Sequence, residues 1–339
     1  MNSKLSGLKS LKFKPVMIAV YFVAGAAILT AGIFFYSITV PKDKNDKTIL
    51  YKVKAEEDVG AVARGLQEQG IISSVFVFET YGRLGPAGGK LVPGTYRLSS
   101  SLNVRTISRM MATGQVATVR LTIPEGYTTA KIAKLWQSQG LGASEDFIAA
   151  TKETYSHDFL RQNNVQGNLE GYLFPATYNV KLESAPRELI IQMLDAFGKS
   201  AWPLVNQPNT VSLTPAEVVN LASIVELEGK TQADRKVIAG VFQNRLARKM
   251  KLESDVTINY VTGKSATAAS DLRIDSVYNS YLYKGLPPTP VSNPGKESIL
   301  AVLEPTKSDY LFFIAARDGK VYFAKNLAEH EQNIKTYLQ

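Results

Sequence analysis

The sequence predicts an α+β protein with an N-terminal transmembrane helix, a small duplicated α/β module and a mainly helical domain that ends in a β-hairpin. Three observations predict this architecture. Residues 16–40 carry no charged side chain, two later stretches align without gaps at an offset of 70, and helical periodicity dominates from Ser144 onward. We therefore expect a tail at residues 1–15, a membrane helix at 16–40, the duplicated module at 41–143 and the last domain at 144–339.

The composition restricts the chemistry that the chain can carry out. Its 339 residues are 45% hydrophobic, which is enough to bury a sizeable core. The chain has no cysteine and only two histidines, His157 and His330. Disulfides, thiolate metal sites and a cysteine nucleophile are therefore excluded, and the separated histidines argue against a zinc hydrolase. We expect no metal and no cofactor.

The apolar stretch Val16–Val40 is long enough to cross a bilayer, because a spanning helix needs about 20 residues. A cleaved signal peptide is the alternative, but its apolar region is usually only about 7–15 residues long. All four charged residues before this stretch are lysines, which predicts a cytoplasmic N-terminus and an exported remainder. They are Lys4, Lys9, Lys12 and Lys14.

The exported part has a weak positive excess. Removing the four tail lysines from the 39 basic residues leaves 35, against 30 acidic residues over 41–339. Such an excess fits work near an anionic membrane or an acidic polymer. No basic run interleaved with aromatic residues occurs, so we do not expect a nucleic-acid partner.

Val53–Ile71 and Ile123–Leu141 align with each other, and each segment predicts a strand, a turn and a helix. Asp58 or its counterpart Thr128 can cap the helix N-terminus. Gly70 and Gly140 can end the two helices in a left-handed conformation. Two interpretations stay open: a duplicated building block without a function of its own, or a glycan-binding module, because these units resemble the LysM type.

The second half of the chain predicts a mainly helical domain. Near its end, two runs of aromatic and β-branched residues flank Asp318-Gly319, which is a strong hairpin signal. The predicted helices are Pro186–Phe197, Thr214–Glu228, Ala233–Lys249 and Leu327–Leu338, and the predicted strands are Tyr310–Ala316 and Lys320–Ala324.

The helix Thr214–Glu228 is apolar on nearly every side, which predicts burial, yet it carries Glu226 and Glu228. At 100° per residue these two acids point about 200° apart, so they cannot flank one bond as a pair. A carboxylate on an apolar face either pairs with a cation such as Arg245 or stays protonated and can act as a general acid. The residues alone leave both alternatives open.

Rigid loops rich in proline, aromatic, amide and acidic residues predict a sugar-binding groove, although structural turns explain any single loop equally well. A set of short motifs runs along the whole chain. They are Pro93–Tyr96, Glu170–Tyr178, Leu221–Glu228, Asn244–Leu246, Ser254–Thr257, Tyr278–Tyr281, Gly285–Pro288, Asn293–Gly295 and Glu329-His330.

With the N-terminal span, these motifs resemble those of the YceG-like endolytic murein transglycosylases, in the same order and with similar spacing. The family usually shows Glu-Lys-Glu where this chain has Glu226-Leu227-Glu228, and Asp-Pro-Thr where it has Asp255-Val256-Thr257. Neither change removes an acid or a hydroxyl group. The second change leaves the backbone shape of that loop open.

The resemblance implies a catalytic role for Glu226, a choice that helix geometry alone could not make. It implies cleavage between N-acetylmuramic acid and N-acetylglucosamine without water, in which Glu226 protonates the leaving oxygen. The sugar's own C6 hydroxyl then attacks and gives a 1,6-anhydro end, so one carboxylate suffices. The residues expected to bind the glycan are Glu170, Asp255, Thr257, Tyr278, Asn279 and Asn293.

The resemblance also implies a place in the cell. We expect a single-pass protein of the bacterial inner membrane, with the catalytic domain outside the cytoplasm. Its expected substrate is nascent peptidoglycan, whose elongation it would end, and its expected partners include cell-wall synthesis enzymes. The alternative is a membrane-tethered scaffold that binds peptidoglycan without cutting it.

Overall fold

The computed structural model describes residues 15–43, 47–207 and 212–338. The chain divides into two compact units between Ala117 and Thr118. Both units combine helices with small sheets, and the sheets of the described residues are three antiparallel pairs of strands. The predicted α+β class is therefore confirmed, while the predicted domain boundary at residue 143 stays a prediction.

The first unit packs three helices around a core that includes Leu66, Phe78 and Leu98. Its two strands pair with Tyr51 opposite Tyr96. The elements are α1 (Pro15–Thr39), β1 (Thr48–Val53), α2 (Val59–Glu68), α3 (Val75–Leu84), β2 (Gly94–Ser99) and α4 (Val104–Thr113).

Helix α1 has the length and composition of a membrane span over Met17–Thr39, and its side chains are exposed except in its last turns. At that end Ile38 is buried, and the Thr39 carbonyl oxygen accepts a hydrogen bond from Asn103 Nδ2 at 3.0 Å. An exposed helix that is apolar on all sides is typical of a segment that lipid surrounds. The predicted N-terminal apolar helix is confirmed.

The second unit is built around the helix Pro215–Glu228, which four other helices contact. The last helix of this unit packs on its β-hairpin. The elements are β3 (Thr118–Thr122), α5 (Thr129–Ser138), α6 (Ser144–Ala150), α7 (Asp158–Gln162), β4 (Thr177–Lys181), α8 (Pro186–Ser200), α9 (Trp202–Val205), α10 (Pro215–Glu228), α11 (Gln232–Ala247), α12 (Asp255–Thr262), a 3-10 turn (Asp271–Arg273), α13 (Lys296–Leu303), β5 (Phe312–Ala315), β6 (Val321–Ala324) and α14 (Leu327–Tyr337).

Both copies of the sequence repeat form the predicted strand, turn and helix. The Asp58 side chain accepts from Ala61 N and the Thr128 side chain from Lys131 N, as caps do. Gly70 and Gly140 follow the helices with φ of 77° and 70°. The copies belong to different units, where β1 pairs with β2 and β3 pairs with β4. A LysM-like module built from both copies is therefore not confirmed.

Helix α10 begins as the sequence predicts. Thr214 Oγ1 accepts from Glu217 N at 3.3 Å, and Glu217 Oε2 accepts from Thr214 N at 2.8 Å, so a capping box forms ahead of Pro215. The apolar side chains between Val218 and Val225 are fully buried. The N-terminal cap thus fixes the register of the buried helix that carries Glu226.

Replacing Thr214 with alanine removes the cap acceptor and should lower the free energy of unfolding by about 1 kcal/mol. Thr214→Ser keeps the hydroxyl and serves as the control. Urea unfolding of the detergent-solubilised protein, followed by tryptophan fluorescence, measures this unit because both tryptophans, Trp136 and Trp202, lie in it. Equal urea midpoints for the alanine variant and the parent would contradict the expectation.

Candidate functional site

Glu226 lies in the last turn of α10 and is only 8% exposed. Its Oε1 accepts a hydrogen bond from Arg235 Nη2 at 2.7 Å, and its Oε2 accepts one from the Gly295 backbone N–H at 2.9 Å. Both carboxylate oxygens are therefore engaged. The Arg235 side chain is itself 15% exposed, so the ion pair lies at the edge of the core.

Glu226 does pair with a cation, but that cation is Arg235 and not Arg245, which the sequence offered as an example. The chain turns sharply at Gly229, whose carbonyl accepts from Arg235 Nε, and this brings the first turn of α11 beside the end of α10. Arg245 lies ten residues further along α11, about 15 Å away along the helix axis. There it donates to the Leu252 carbonyl and to the Glu253 carboxylate.

Glu228 occupies a separate environment, as its direction on the helix predicts. Ser254 Oγ donates to Glu228 Oε1 at 2.6 Å. The pKa of Glu228 is raised to about 6, mainly by burial; the Ser254 hydrogen bond opposes the rise and the nearby Asp255 charge adds to it. Tyr281 joins this group by donating to Asp255 Oδ1. The two acids of the motif thus belong to two different clusters.

Sequence reasoning missed a second carboxylate beside Glu226, that of Glu125 in the turn between β3 and α5. The carboxylate of Glu125 packs so closely on Gly295 that any Cβ at that position would collide with it. Partial burial raises the pKa of Glu125, and the charge of Glu226 adds to the rise while Arg235 opposes it. An acid in a tight Pro-Glu-Gly turn before a helix was the only local signal for this position.

The segment Pro287–Gly295, which we call the strap, is held along α10 by polar side chains of that helix. Asn220 Nδ2 donates to the Pro287 carbonyl at 2.6 Å, and the Val291 backbone N–H donates to Ser223 Oγ at 2.9 Å. Glu226 holds the end of the strap through the Gly295 N–H. The strap therefore fixes the backbone that faces the Glu226 carboxylate.

Asn293 connects the strap to the neighbouring loops and is fully buried. Its Oδ1 accepts from Gly171 N and Leu173 N, both at 2.9 Å. Its Nδ2 donates to the Tyr127 carbonyl at 2.9 Å and to Glu170 Oε1 at 2.8 Å. All four hydrogen-bonding positions of the amide are used, so Asn293 holds three loops together.

Glu170 is a buried carboxyl group that Asn293 and the Thr129 backbone N–H contact. Burial raises the pKa of Glu170 to about 7, although the hydrogen bonds from Thr129 and Asn293 lower it. The group is therefore partly protonated near neutral pH. It lies in the wall of the cavity described below.

The other expected glycan-binding residues divide by exposure. Thr257 and Asn279 are fully buried. The hydroxyl groups of Thr257 and Ser280 form a hydrogen bond with each other, and Asn279 Nδ2 donates to the Leu272 and Ile274 carbonyls. In this structure they hold loops in place. Asp255 is exposed and Tyr278 partly so. Glycan contact by any of the six residues stays a prediction.

A cavity of about 890 Å³ lies beside the N-terminal half of α10, and Glu226 is not part of its wall. Asn163–Tyr172, the start of α10, the end of α11 and the loop Gly285–Pro290 form this wall. The second unit therefore holds two features: a carboxylate pair at one end of α10 and an open cavity at the other. Within the described ranges, no three His, Cys, Asp or Glu side chains are grouped to hold a metal ion.

The chain is similar in sequence to known proteins. The model of the YceG-like family matches residues 51–336. The chain is 32% identical over 355 aligned positions to an endolytic murein transglycosylase of Streptococcus pneumoniae D39, covering 94% of this chain and 64% of that protein. It is also 32% identical to one of Bacillus subtilis 168, covering 92% and 91%. This chain thus spans just under two thirds of the pneumococcal relative's length.

A solved structure extends the similarity to the fold. The crystal structure of a yceG-like protein from Listeria monocytogenes is 33% identical to this chain and aligns with a TM-score of 0.55. The alignment covers 85% of this chain and 99% of the crystallised chain.

The raised pKa of Glu170 predicts that stability falls as pH rises. The folded carboxyl holds its proton up to about pH 7, whereas the unfolded one loses it near 4.5, so the folded state binds more protons between these values. As the pH rises from 4.5 to about 7, this difference in proton binding lowers the free energy of unfolding by up to about 3 kcal/mol. Well above pH 7 it causes no further decline.

Glu170→Gln should remove most of this decline, because an amide has no proton to lose. Urea unfolding at a series of pH values from 4.5 to 7.5 measures the slope. Glu228 leaves a smaller slope of the same sign, since its pKa is also raised. A variant whose stability declines as steeply as that of the parent would refute this account of Glu170.

Proposed function

This chain belongs to the YceG-like family, and from that premise we propose that it is a peptidoglycan lytic transglycosylase, a lyase that cuts inside glycan strands. Relatives named endolytic murein transglycosylase, 32% identical over most of the chain, support the proposal. The structural observation that carries it is Glu226, a glutamate fixed by two hydrogen bonds at the edge of a buried helix and beside a second carboxylate.

In the proposed reaction, the bond between C1 of N-acetylmuramic acid and O4 of N-acetylglucosamine breaks. Glu226 gives its proton to the departing O4, and positive charge develops on the muramyl ring. The C6 hydroxyl of the same ring bonds to C1, and its proton returns to Glu226. No water is consumed, and the new strand end is a 1,6-anhydro sugar.

The ion pair with Arg235 places a condition on this mechanism. Arg235 Nη2 occupies the side of Glu226 Oε1 at 2.7 Å, where a glycosidic oxygen would have to bind. In our proposal the glycan displaces the Arg235 side chain, which already has some contact with solvent. The Gly295 N–H keeps Oε2 in place during this exchange. Of the expected binding residues, we place Asp255 and Tyr278 in contact with the glycan and Glu170 in the wall of the cavity. We place Thr257, Asn279 and Asn293 behind the loops that face the glycan.

A second candidate function is hydrolysis of the same bond. Glu125 favours it, because a carboxylate near the proposed acid is what a two-carboxylate glycosidase requires. In that reaction Glu125 would activate a water molecule, and the new end would be a reducing sugar. The two functions therefore differ in their products.

We further propose that α1 anchors the protein in the inner membrane, with its N-terminus in the cytoplasm and the catalytic domain outside. The exposed apolar helix and the lysines ahead of it support this orientation. A tethered enzyme meets new strands as they leave the membrane, where it can end their elongation beside cell-wall synthesis enzymes. In the same proposal the strand–turn–helix of residues 53–71 helps to bind glycan as a LysM-like element.

Glu226→Gln should abolish cleavage of purified peptidoglycan by the detergent-solubilised protein, with a loss of at least about 10³-fold in rate. Glu228→Gln is the matched control, because it removes the other acid of the motif and should retain most activity. Mass spectrometry of the released fragments measures both the amount and the kind of new ends.

The products decide between the candidates. Anhydro-muramyl ends that vanish in Glu226→Gln support the transglycosylase, and reducing ends that vanish in Glu125→Gln support the hydrolase. Intact glycan that only co-sediments with the parent protein would reject both in favour of a binding scaffold. Loss of cleavage in Glu228→Gln but not in Glu226→Gln would reject the proposed acid.

Cysteine labelling tests the proposed orientation, since the chain has no cysteine of its own. A membrane-impermeant maleimide should label Lys90→Cys in spheroplasts, because Lys90 is exposed in the first unit. It should label Lys9→Cys only after the membrane is permeabilised. The reverse pattern would invert the topology, and labelling in a soluble fraction would show that α1 does not anchor the chain.

A further inference from the structure

The cavity at the N-terminal half of α10 takes no part in the mechanism above, yet its volume of about 890 Å³ is large enough for an oligosaccharide segment. Its wall combines four stretches of chain that are far apart in sequence. Carboxamide side chains dominate its polar lining: Asn163, Asn164, Gln166, Asn168, Asn220, Gln243 and Asn244.

In three of these side chains, the amide NH2 group is held by hydrogen bonds to backbone carbonyls. Asn163 Nδ2 donates to the Phe159 carbonyl, Gln243 Nε2 to the Val302 carbonyl, and Asn244 Nδ2 to the Ser308 and Tyr310 carbonyls. Among the described residues, nothing donates to the carbonyl oxygens of these three side chains. The cavity therefore presents oriented acceptors to a ligand, and it suits a molecule that is rich in O–H and N–H donors.

The charge of the cavity wall favours an uncharged ligand. Glu170 and Glu217 are the acidic residues that line the cavity in the described part of the chain, and no Lys, Arg or His lines it. A peptide stem that carries carboxylates would lose solvation there without gaining a cation. An uncharged sugar loses little, and Leu286, Pro287 and Pro288 offer it apolar surface.

Helix α10 and the strap each run from the cavity wall to Glu226. Asn220 on its wall lies six residues before Glu226, about 9 Å along α10. The strap begins at the wall with Pro287 and ends with Gly295 at the Glu226 carboxylate. A ligand in the cavity therefore lies at a fixed separation from the proposed acid.

We propose that this cavity is a glycan subsite that holds an N-acetylglucosamine unit, through hydroxyl and acetamido N–H groups donated to Asn163, Gln243 and Asn244. The proposal rests on the proposed function, because it assigns the unit to the strand that is cut. It makes the cavity a site of strand positioning, remote from the bond that breaks.

Binding of chitotetraose, an uncharged N-acetylglucosamine oligomer, tests the subsite. Calorimetric titration uses the full chain in detergent with Glu226→Gln, so that no turnover occurs. Ala216→Phe, which fills the cavity from α10, should weaken binding at least tenfold, whereas the matched control Lys199→Phe, on the exposed end of α8, should change it less than twofold. Cellotetraose, which lacks the acetamido groups, should bind at least tenfold more weakly than chitotetraose.

A second variant covers the case in which Ala216→Phe does not fold. Asn163→Ala removes one of the three proposed acceptors and should weaken binding at least threefold. Unchanged binding in a folded Ala216→Phe or in Asn163→Ala would overturn the proposal, as would equal binding of cellotetraose or tighter binding of a stem pentapeptide. If the parent protein, with Glu226 intact, still yields anhydro ends after any of these results, the subsite fails while the proposed function stands.

Discussion

The site depends on a few polar side chains of α10, an almost wholly apolar helix, that form hydrogen bonds to the strap. Along α10, Asn220, Ser223 and Glu226 recur every third residue and therefore lie in one row. Each of them makes a hydrogen bond to the backbone of the strap. Because buried polar groups must be paired, these contacts fix the strap against the helix. The strap in turn carries Asn293, whose amide holds the loops of Tyr127 and Gly171.

The Glu226 side chain therefore makes a structural contact and also has a proposed chemical role. Its Oε2 completes the row that binds the strap, while its Oε1 faces Arg235 and the edge of the core. An ion pair at the surface end of a buried helix can exchange partners more easily than one in the interior, where desolvation penalises a separated charge. Of the two alternatives that the sequence left open, the structure shows the ion pair, and the role of Glu226 as an acid stays a proposal.

Local features could be predicted because they depend on neighbours in the sequence. The capping box at Thr214, the caps at Asp58 and Thr128, and the left-handed glycines 70 and 140 all form. The hairpin at Asp318-Gly319 also forms, with strands slightly shorter than predicted. Helix boundaries were likewise close, with α11 at Gln232–Ala247 against a prediction of Ala233–Lys249.

Contacts between distant segments could not be predicted in the same way. Helical spacing gave no reason to prefer Arg235 over Arg245, because the choice depends on how tightly the chain turns at Gly229. Glu125 reaches the site only because its turn packs on Gly295, 170 residues later in the chain. Thr257 and Asn279 belong to types that bind sugars, but a motif does not reveal that their polar atoms are already used by neighbouring loops.

A crystal structure of the Glu226→Gln protein with a bound oligomer of alternating N-acetylglucosamine and N-acetylmuramic acid tests the central claim most directly. The account predicts a glycosidic oxygen within about 3 Å of the substituted side chain, with Arg235 displaced and the strap unchanged. A glycan whose bonds all lie away from position 226, with Arg235 still closed over that position, would contradict it.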